Sequence, residues 1–389
     1  MHQGKFIFSQ LTDFLPKRVF DCLVDKYSGN KYVRFFTCWN QLLSMLFGQL
    51  SGRESLRDLM IGLEAHRLKY YHLGFGQSVT RTNLAKANEK RNYKIFEEFA
   101  YHMIDQARKC SVVKDFELDI KANVYAFDST IIDLCLSVFW WAEFRKTKGG
   151  IKVHALYDVK VSIPSYIYIT KASVHDVNLL AQLKFEPGGY YILDRGYLDY
   201  RMLYRIHRHE AYYITRAKSN TRFIRMYSHK VNKTSGVIYD QIGKLEGFYT
   251  HKEYPKKLRK IKYYDNETGK ILVFLTNNFE LAAAEIALLY KYRWKIELFF
   301  KWMKQHLKIK SFWGTTPNAV KIQIYSAIIA YCLVAIIGYK LKVDRSTYEI
   351  LQILSISLLD KTPLKELLTN QDYKDVKELN YIQLKIKDF

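Results

Sequence analysis

The chain has 389 residues, 49% of them hydrophobic and only 6 of them Pro, which excludes a disordered chain and leaves room for two or three domains around a large core. Lys plus Arg number 61 against 38 Asp plus Glu, a formal charge of +23. An excess of that size fits a neutral or acidic sugar-binding cleft poorly and favours a polyanion partner, nucleic acid before an anionic membrane. The 31 Tyr and 23 Phe interleave with the cations, a pattern that suits base stacking and core packing alike. Cys22, Cys38, Cys110, Cys135 and Cys332 form no CxxC or Cys/His cluster, and no leader pattern precedes them. Buried thiols in a reducing, cytosolic setting are expected.

Residues 1–115 read as a helical domain. The stretch 38–50 is amphipathic, Ser51-Gly-Arg-Glu-Ser-Leu interrupts it, and a helix restarts over 54–63. Gly74-Phe-Gly-Gln-Ser breaks the chain again. Thr80 or Thr82 can cap a helix through 83–88, and 93–110 forms another. Arg81, Lys86, Lys90, Arg91 and Lys94 would lie on polar faces, as a helix-turn-helix-like DNA reader or as a solvated basic surface.

The texture changes at Val124. Residues 124–130 read as a buried strand ending in Asp128-Ser-Thr; 151–159 and 166–171 follow as strands, with Pro164-Ser165 as the turn between them. A short helix over 175–183 leads to the strand 190–193, which delivers Asp194-Arg-Gly at its carboxyl end. A helix over 200–209 and a strand over 211–217 complete a mixed α/β sheet, the first part of a core over 116–217. Residues 218–270 carry broken β signals, four glycines and a basic run at 252–262, and read as a β-rich insertion. The core returns over 271–389 with the strand 271–276, Asn277 or Asn278 as cap, and a long helix through 290–304. An uncharged segment at 322–339 is short of membrane-span length, contains Gln323 and stands alone, so a buried core helix is expected and no membrane partner. A further helix over 347–358 and a charged tail end the chain.

Within 290–304, Tyr290, Arg293, Glu297 and Lys304 fall on one helical stripe about 60° wide, extended by Lys301 and Lys308. A surface helix with Arg293–Glu297–Lys301 ion pairs explains the stripe as well as a lone carboxylate among phosphate-binding groups does. Asp128 and Asp194 each end an apolar strand, where a carboxylate is held rigidly at the mouth of a sheet or merely caps a turn. Three converging carboxylates would repel one another and raise one another's pKa, a repulsion that two Mg2+ ions relieve. Such an ion pair activates the attacking oxygen and steadies the leaving one in phosphodiester cleavage.

On these residues the chain resembles DDE transposases of the insertion-sequence-four type. Tyr290, Arg293, Glu297 and Lys304 match the signature Y-x2-R-x3-E-x6-K without departure. Phe127-Asp128-Ser129-Thr130, Leu193-Asp194-Arg195-Gly196-Tyr197 and Gly150-Ile-Lys152-Val-His154 are similar to the surrounding motifs of the family. The resemblance covers essentially the whole chain. It implies an RNase H-like mixed sheet flanked by helices, with a helical N-terminal domain and a β-rich insertion. It further implies Asp128, Asp194 and Glu297 as a catalytic, metal-binding triad for two Mg2+ (Mn2+ as a substitute), and Tyr290, Arg293 and Lys304, with Lys301 alongside, as DNA contacts.

The implied activity is cut-and-paste transposition: binding of terminal inverted repeats, metal-dependent strand cleavage and strand transfer into target DNA. A homodimer on double-stranded DNA would act in the bacterial cytoplasm, associated with the nucleoid. If a base flips during hairpin formation, Trp294, Trp302, Trp313, Phe248 or Tyr249 could stack on it, and each is equally readable as core. Lys152 and His154 read as structural or phosphate-contacting. His207-x-His209 has metal-ligand spacing without a third ligand and reads as an exposed helix face. The alternative reading is an inactive, transposase-derived DNA-binding protein or repressor.

Overall fold

Side-chain caps start three of the α-helices described in the first third of the chain. The hydroxyls of Thr37, Ser55 and Thr80 accept from the backbone N–H three residues on, opening α3 (Cys38–Leu50), α4 (Leu56–Ala65) and α5 (Arg81–Lys90). Two short helices precede them, α1 (Ile7–Thr12) and α2 (Lys17–Lys26), and α6 (Lys94–Cys110) follows. The computed structural model of the protein describes residues 4–369, apart from 77–78, 112, 114–115, 146–147, 175–178 and 307–311.

The stretch 38–50 is amphipathic in pattern, yet all of α3 except Trp39 is buried. Its polar residues are satisfied inside. Gln41 Nε2 donates to Asn88 Oδ1 at 2.7 Å, and Arg91 donates to Gln41 Oε1 at 3.0 Å and to the Thr37 carbonyl at 2.9 Å. Arg91 is thereby withdrawn from the basic face on which it was expected, while Arg81, Lys86, Lys90 and Lys94 remain exposed.

The middle of the chain is one ten-stranded sheet. Its strands are β1 (Val124–Leu134), β2 (Glu143–Arg145), β3 (Lys148–Asp158), β4 (Ile163–Lys171), β5 (Tyr190–Leu193), β6 (Tyr212–Arg216), β7 (Phe223–His229), β8 (Val237–Leu245), β9 (Leu258–Asp265) and β10 (Lys270–Thr276). They lie in the order β2-β3-β1-β5-β6-β10-β9-β8-β7, with β4 also paired to β3. β1, β5 and β6 run parallel; the other pairs are antiparallel. The strands of the 218–270 segment are therefore a continuation of the central sheet, since β9 pairs with β10 from Lys270↔Asp265 to Thr276↔Arg259. Pro164 lies within β4, and the chain reverses just before it at Ser162, whose φ is 58°. Two helices accompany these strands, α7 (Tyr200–Arg208) and α8 (Phe248–Glu253). The short helix expected over 175–183 begins outside the described residues; Leu179 and Leu180 are buried, and the Leu180 carbonyl accepts from Arg205.

Alternation along β1 divides the core. Val124 and Ala126 face the helices of one layer, and Tyr125 and Phe127 face α7 on the other. The helical layer is completed by α9 (Ala283–Lys291), α10 (Trp294–His306), α11 (Pro317–Lys340), α12 (Thr347–Ser357) and α13 (Leu364–Leu368). By length and composition α11 could cross a membrane, but it is almost wholly buried between α3 and α6, as a core helix. The charged tail, 370–389, lies outside the described residues.

Trp313 closes this layer. Its ring lies so close to Gly48 that a Cβ there would stand 2.3 Å from the indole. Gly48→Ala is therefore expected to lower stability by about 1 to 3 kcal/mol through overpacking, read as a fall in Tm.

Candidate active site

Parallel pairing of β1 with β5 sets Phe127 opposite Leu193. The next residue in each case is an aspartate. Asp194 follows the last residue of β5, whereas Asp128 lies within β1, opposite Ala155, because β1 runs on to Leu134 and does not end at Thr130 as expected. The two carboxylates therefore stand side by side where β5 ends. After Asp194 the chain turns through Arg195–Tyr197 and brings the Tyr197 ring edge-on to Phe127, 5.1 Å between centroids. The Tyr197 hydroxyl lies 3.3 Å from Asp128 Oδ1 and 3.1 Å from Ser129 Oγ, and the Ser129 N–H donates to Asp128 Oδ1 at 2.8 Å. The sequence alone assigns Tyr197 no role; its signal there is an aromatic donor three residues beyond Asp194.

The third carboxylate arrives on a broken helix. The single helix expected through 290–304 ends at Lys291 and restarts at Trp294. Between them the backbone tightens into i→i+3 bonds, Arg293 N to Tyr290 O at 3.0 Å and Ile296 N to Arg293 O at 3.3 Å. Buried Tyr292 anchors this turn through its hydroxyl, which accepts from the Glu117 N–H at 2.9 Å. The start of α9 also differs from expectation. Asn278 caps the preceding turn, accepting from Glu280 and Leu281, and Glu285 reaches back to the Ala282 N–H at 2.7 Å.

The break places Arg293 in the turn, between two carboxylates. Its NH1 lies 3.4 Å from Asp128 Oδ2 and its NH2 lies 2.5 Å from Glu297 Oε1. Tyr290 donates to Asp194 Oδ1 at 3.3 Å. The four signature positions thus reach all three carboxylates through Tyr290 and Arg293. Arg293 is mostly buried, and its Nε–H has no acceptor among the described residues.

Electrostatics follow from this crowding. Burial pushes the Asp128 carboxyl up to about 6, with the negative charges of Asp194 and Glu297 adding to the rise and the Ser129 N–H and Arg293 opposing it. Burial, with the charge of Asp194, pushes the Tyr290 phenol up to about 12, so it stays protonated and donates. Among the described residues no three His, Cys, Asp or Glu side chains form a ready metal cage. The donor set nevertheless suits a hard divalent cation: three carboxylates, oxygen only, whose mutual repulsion is relieved here by the Arg293 guanidinium.

The remaining expected residues sort as follows. Lys301 is exposed and Lys304 half-buried, one and two turns beyond Glu297 along α10; Lys308 lies outside the described residues. Lys152 and His154 are buried: Lys152 donates to the Val174 carbonyl at 3.0 Å, and His154 pairs with Thr170 Oγ1 at 2.9 Å. Trp313 is core and Trp302 packs edge-on to Tyr331, leaving Trp294, Phe248 and Tyr249 exposed among the candidate stacking residues. His207 is not on an exposed face; its Nδ1 lies within bonding distance of Tyr254 and Asn277, and it is structural. Among the nearby aspartates, Asp158 pairs with Arg108, Asp199 caps α7, Asp133 is exposed, and Asp176 lies outside the described residues.

Comparison with known proteins finds the family described as "Transposase DDE domain" over residues 120–333, and a second, described only as a domain of unknown function, over residues 3–76. A Sinorhizobium fredii protein named as transposase y4zB is 35% identical over 279 residues, 69% of this chain and 74% of the relative. A Geobacillus stearothermophilus protein named as a transposase for insertion sequence element IS5377 is 28% identical, over 58% of this chain and 59% of the relative. A Synechocystis protein named as a transposase for element IS4SA is 27% identical, over 67% and 73%.

Proposed function

The chain belongs to the transposases with a DDE domain, and from that premise we propose that it binds the terminal inverted repeats of an insertion sequence, cuts the DNA at the element's ends and joins the freed 3′-hydroxyls to target DNA. The observation that carries this reading is the shared corner of Asp128, Asp194 and Glu297, linked through Arg293 and Tyr290.

Asp128, Asp194 and Glu297 would hold the divalent cations, two Mg2+ or Mn2+ in their place. Bound there, these supply positive charge to the attacking and leaving oxygens of an in-line displacement at phosphorus. The chain's own residues do the rest. The ladder of β1 holds Asp128 and the end of β5 holds Asp194, and Tyr197 with the Ser129 N–H fixes the Asp128 rotamer. The Arg293 fork and the Tyr290 phenol offer donors to the non-bridging oxygens of the scissile phosphate. Lys301 and Lys304 continue the cationic track toward flanking phosphates. In the first step water attacks phosphorus and the bond to O3′ breaks, leaving a 3′-hydroxyl and a 5′-phosphate. In the second, that hydroxyl attacks a phosphodiester of the target and displaces its O3′. Two ends require two such sites, so a homodimer on DNA is the working assembly. The excess of cations supports the polyanion partner.

The test is incubation of the protein with a duplex that carries the DNA flanking its gene, with Mg2+. Nicks at the element boundary are expected; a salt-sensitive gel shift without any nick would instead mark a DNA-binding protein that does not cut. Lys304→Ala is expected to weaken end binding and to reduce the slope of log affinity against log salt by about one. An unchanged slope would remove Lys304 from the phosphate track.

A further inference from the structure

Every carboxylate of the site has a partner within 290–293. Arg293 NH1 lies against Asp128, Arg293 NH2 against Glu297, and the Tyr290 hydroxyl against Asp194. These are the same donors that the proposed reaction needs for the phosphate. The guanidinium stands between two carboxylates, in the same place where a divalent cation would be held, and two positive charges repel there. The Arg293 Nε–H is also buried and has no acceptor among the described residues. Asp128 is crowded by two like charges, so whichever cation neutralises it must displace the one already there.

We infer that Arg293, assisted by Tyr290, makes cation loading conditional on DNA. Without DNA the guanidinium fills the charge niche between Asp128 and Glu297 and keeps a divalent ion from binding well. When a phosphate arrives, the fork and the Nε–H transfer to its oxygens, and the carboxylates are released to the ion. Arg293 is then a specificity-determining and positioning residue, confining hydrolytic chemistry to the DNA-bound protein. Linkage requires the converse as well: the ion tightens DNA binding by the same factor that DNA tightens ion binding. This inference rests on the proposed metal site.

The experiment is a Mn2+ titration of the full chain, followed by the electron paramagnetic resonance signal of free Mn2+, with and without the flanking duplex. The wild type is expected to bind Mn2+ at least roughly tenfold more tightly with the duplex than without it. Arg293→Ala is expected to bind Mn2+ without DNA about as tightly as the DNA-bound wild type, and to gain little when the duplex is added. Arg293→Lys, which keeps the charge and loses the fork, shifts DNA-free affinity in the same direction by less, and keeps the test decisive if the alanine variant does not fold. In Asp128→Asn combined with Arg293→Ala the gain disappears. A structural role alone would leave Mn2+ affinity unchanged or weaker in both Arg293 variants. That outcome, with Mn2+ still bound to the wild type on DNA, overturns the gate and leaves the metal site standing. Absence of Mn2+ from the wild type on DNA overturns the metal site and the gate with it.

Discussion

Asp128→Asn is expected to lower Mg2+-dependent cleavage by on the order of a thousandfold, the scale of losing one preorganised charge at a reacting centre, while duplex binding is retained. The amide keeps the shape of the side chain, and its Oδ1 can still accept from Ser129 and Tyr197, while its Nδ2 cannot accept from Arg293. Lost cleavage with retained folding and duplex binding therefore reports the missing charge and not collapse. The sign of the stability change separates the two further. The folded-state pKa of Asp128, about 6, lies above the ordinary aspartate value of about 3.9. The stability linked to its proton is fully present below pH 4 and is lost as pH rises through 6. A neutral amide escapes that loss, so at pH 7 the variant should be inactive yet up to about 3 kcal/mol more stable. Thermal unfolding at pH 7 and pH 4 checks this: the variant's Tm should exceed that of the wild type at the higher pH, and the difference should shrink at the lower. Asp194→Asn and Glu297→Gln should lose cleavage comparably, and full activity in either would remove that residue from the triad.

Arg259→Ala is the substitution expected to cost the most stability, about 3 to 5 kcal/mol. Arg259 and Asp240 are each 5% exposed and form a two-bonded pair at 2.8 and 2.7 Å across β8 and β9. The same guanidinium donates to the carbonyls of Leu281 at 2.7 Å and Asn278 at 3.3 Å, in the turn that launches α9. Its removal strands a buried carboxylate and two carbonyls together, and it loosens the helix that delivers Tyr290 to Asp194. A large fall in Tm is expected, partly restored by adding Asp240→Leu, which removes the stranded charge. A fall no larger than that of an exposed Arg201→Ala control would show that the pair does not hold the β8–β9 strands to α9.

Much of the architecture was legible because it rests on local chemistry. Thr80 announces its helix by capping, and the unbroken apolar run 190–193 reads as a strand buried on both faces. Asp128 and Asp194 were visible because each follows such an apolar run, although β1 continues past Asp128 to Leu134. What was not legible depends on partners distant in sequence. The polar side of α3 looked solvent-facing because Asn88 and Arg91, which satisfy Gln41, lie about fifty residues away. The 218–270 segment read as β-rich, but its continuity with the sheet depends on β9 pairing with β10, a register that weak alternation does not specify. The helix through 290–304 looked continuous because no Pro or Gly interrupts it. It breaks because Tyr292 is anchored to the Glu117 N–H and Arg293 is drawn toward Asp128, both long-range contacts. That break is what brings Arg293 between two carboxylates, a juxtaposition that a helical wheel does not contain.

The most direct test of the central claim is strand cleavage by the wild-type protein on an end-labelled duplex spanning the element boundary, run with Mg2+ and with EDTA. A Mg2+-dependent product ending in a 3′-hydroxyl at the boundary, abolished by EDTA and by Asp128→Asn, is the predicted result. A duplex that is bound but left intact under Mg2+ and Mn2+ alike would contradict it.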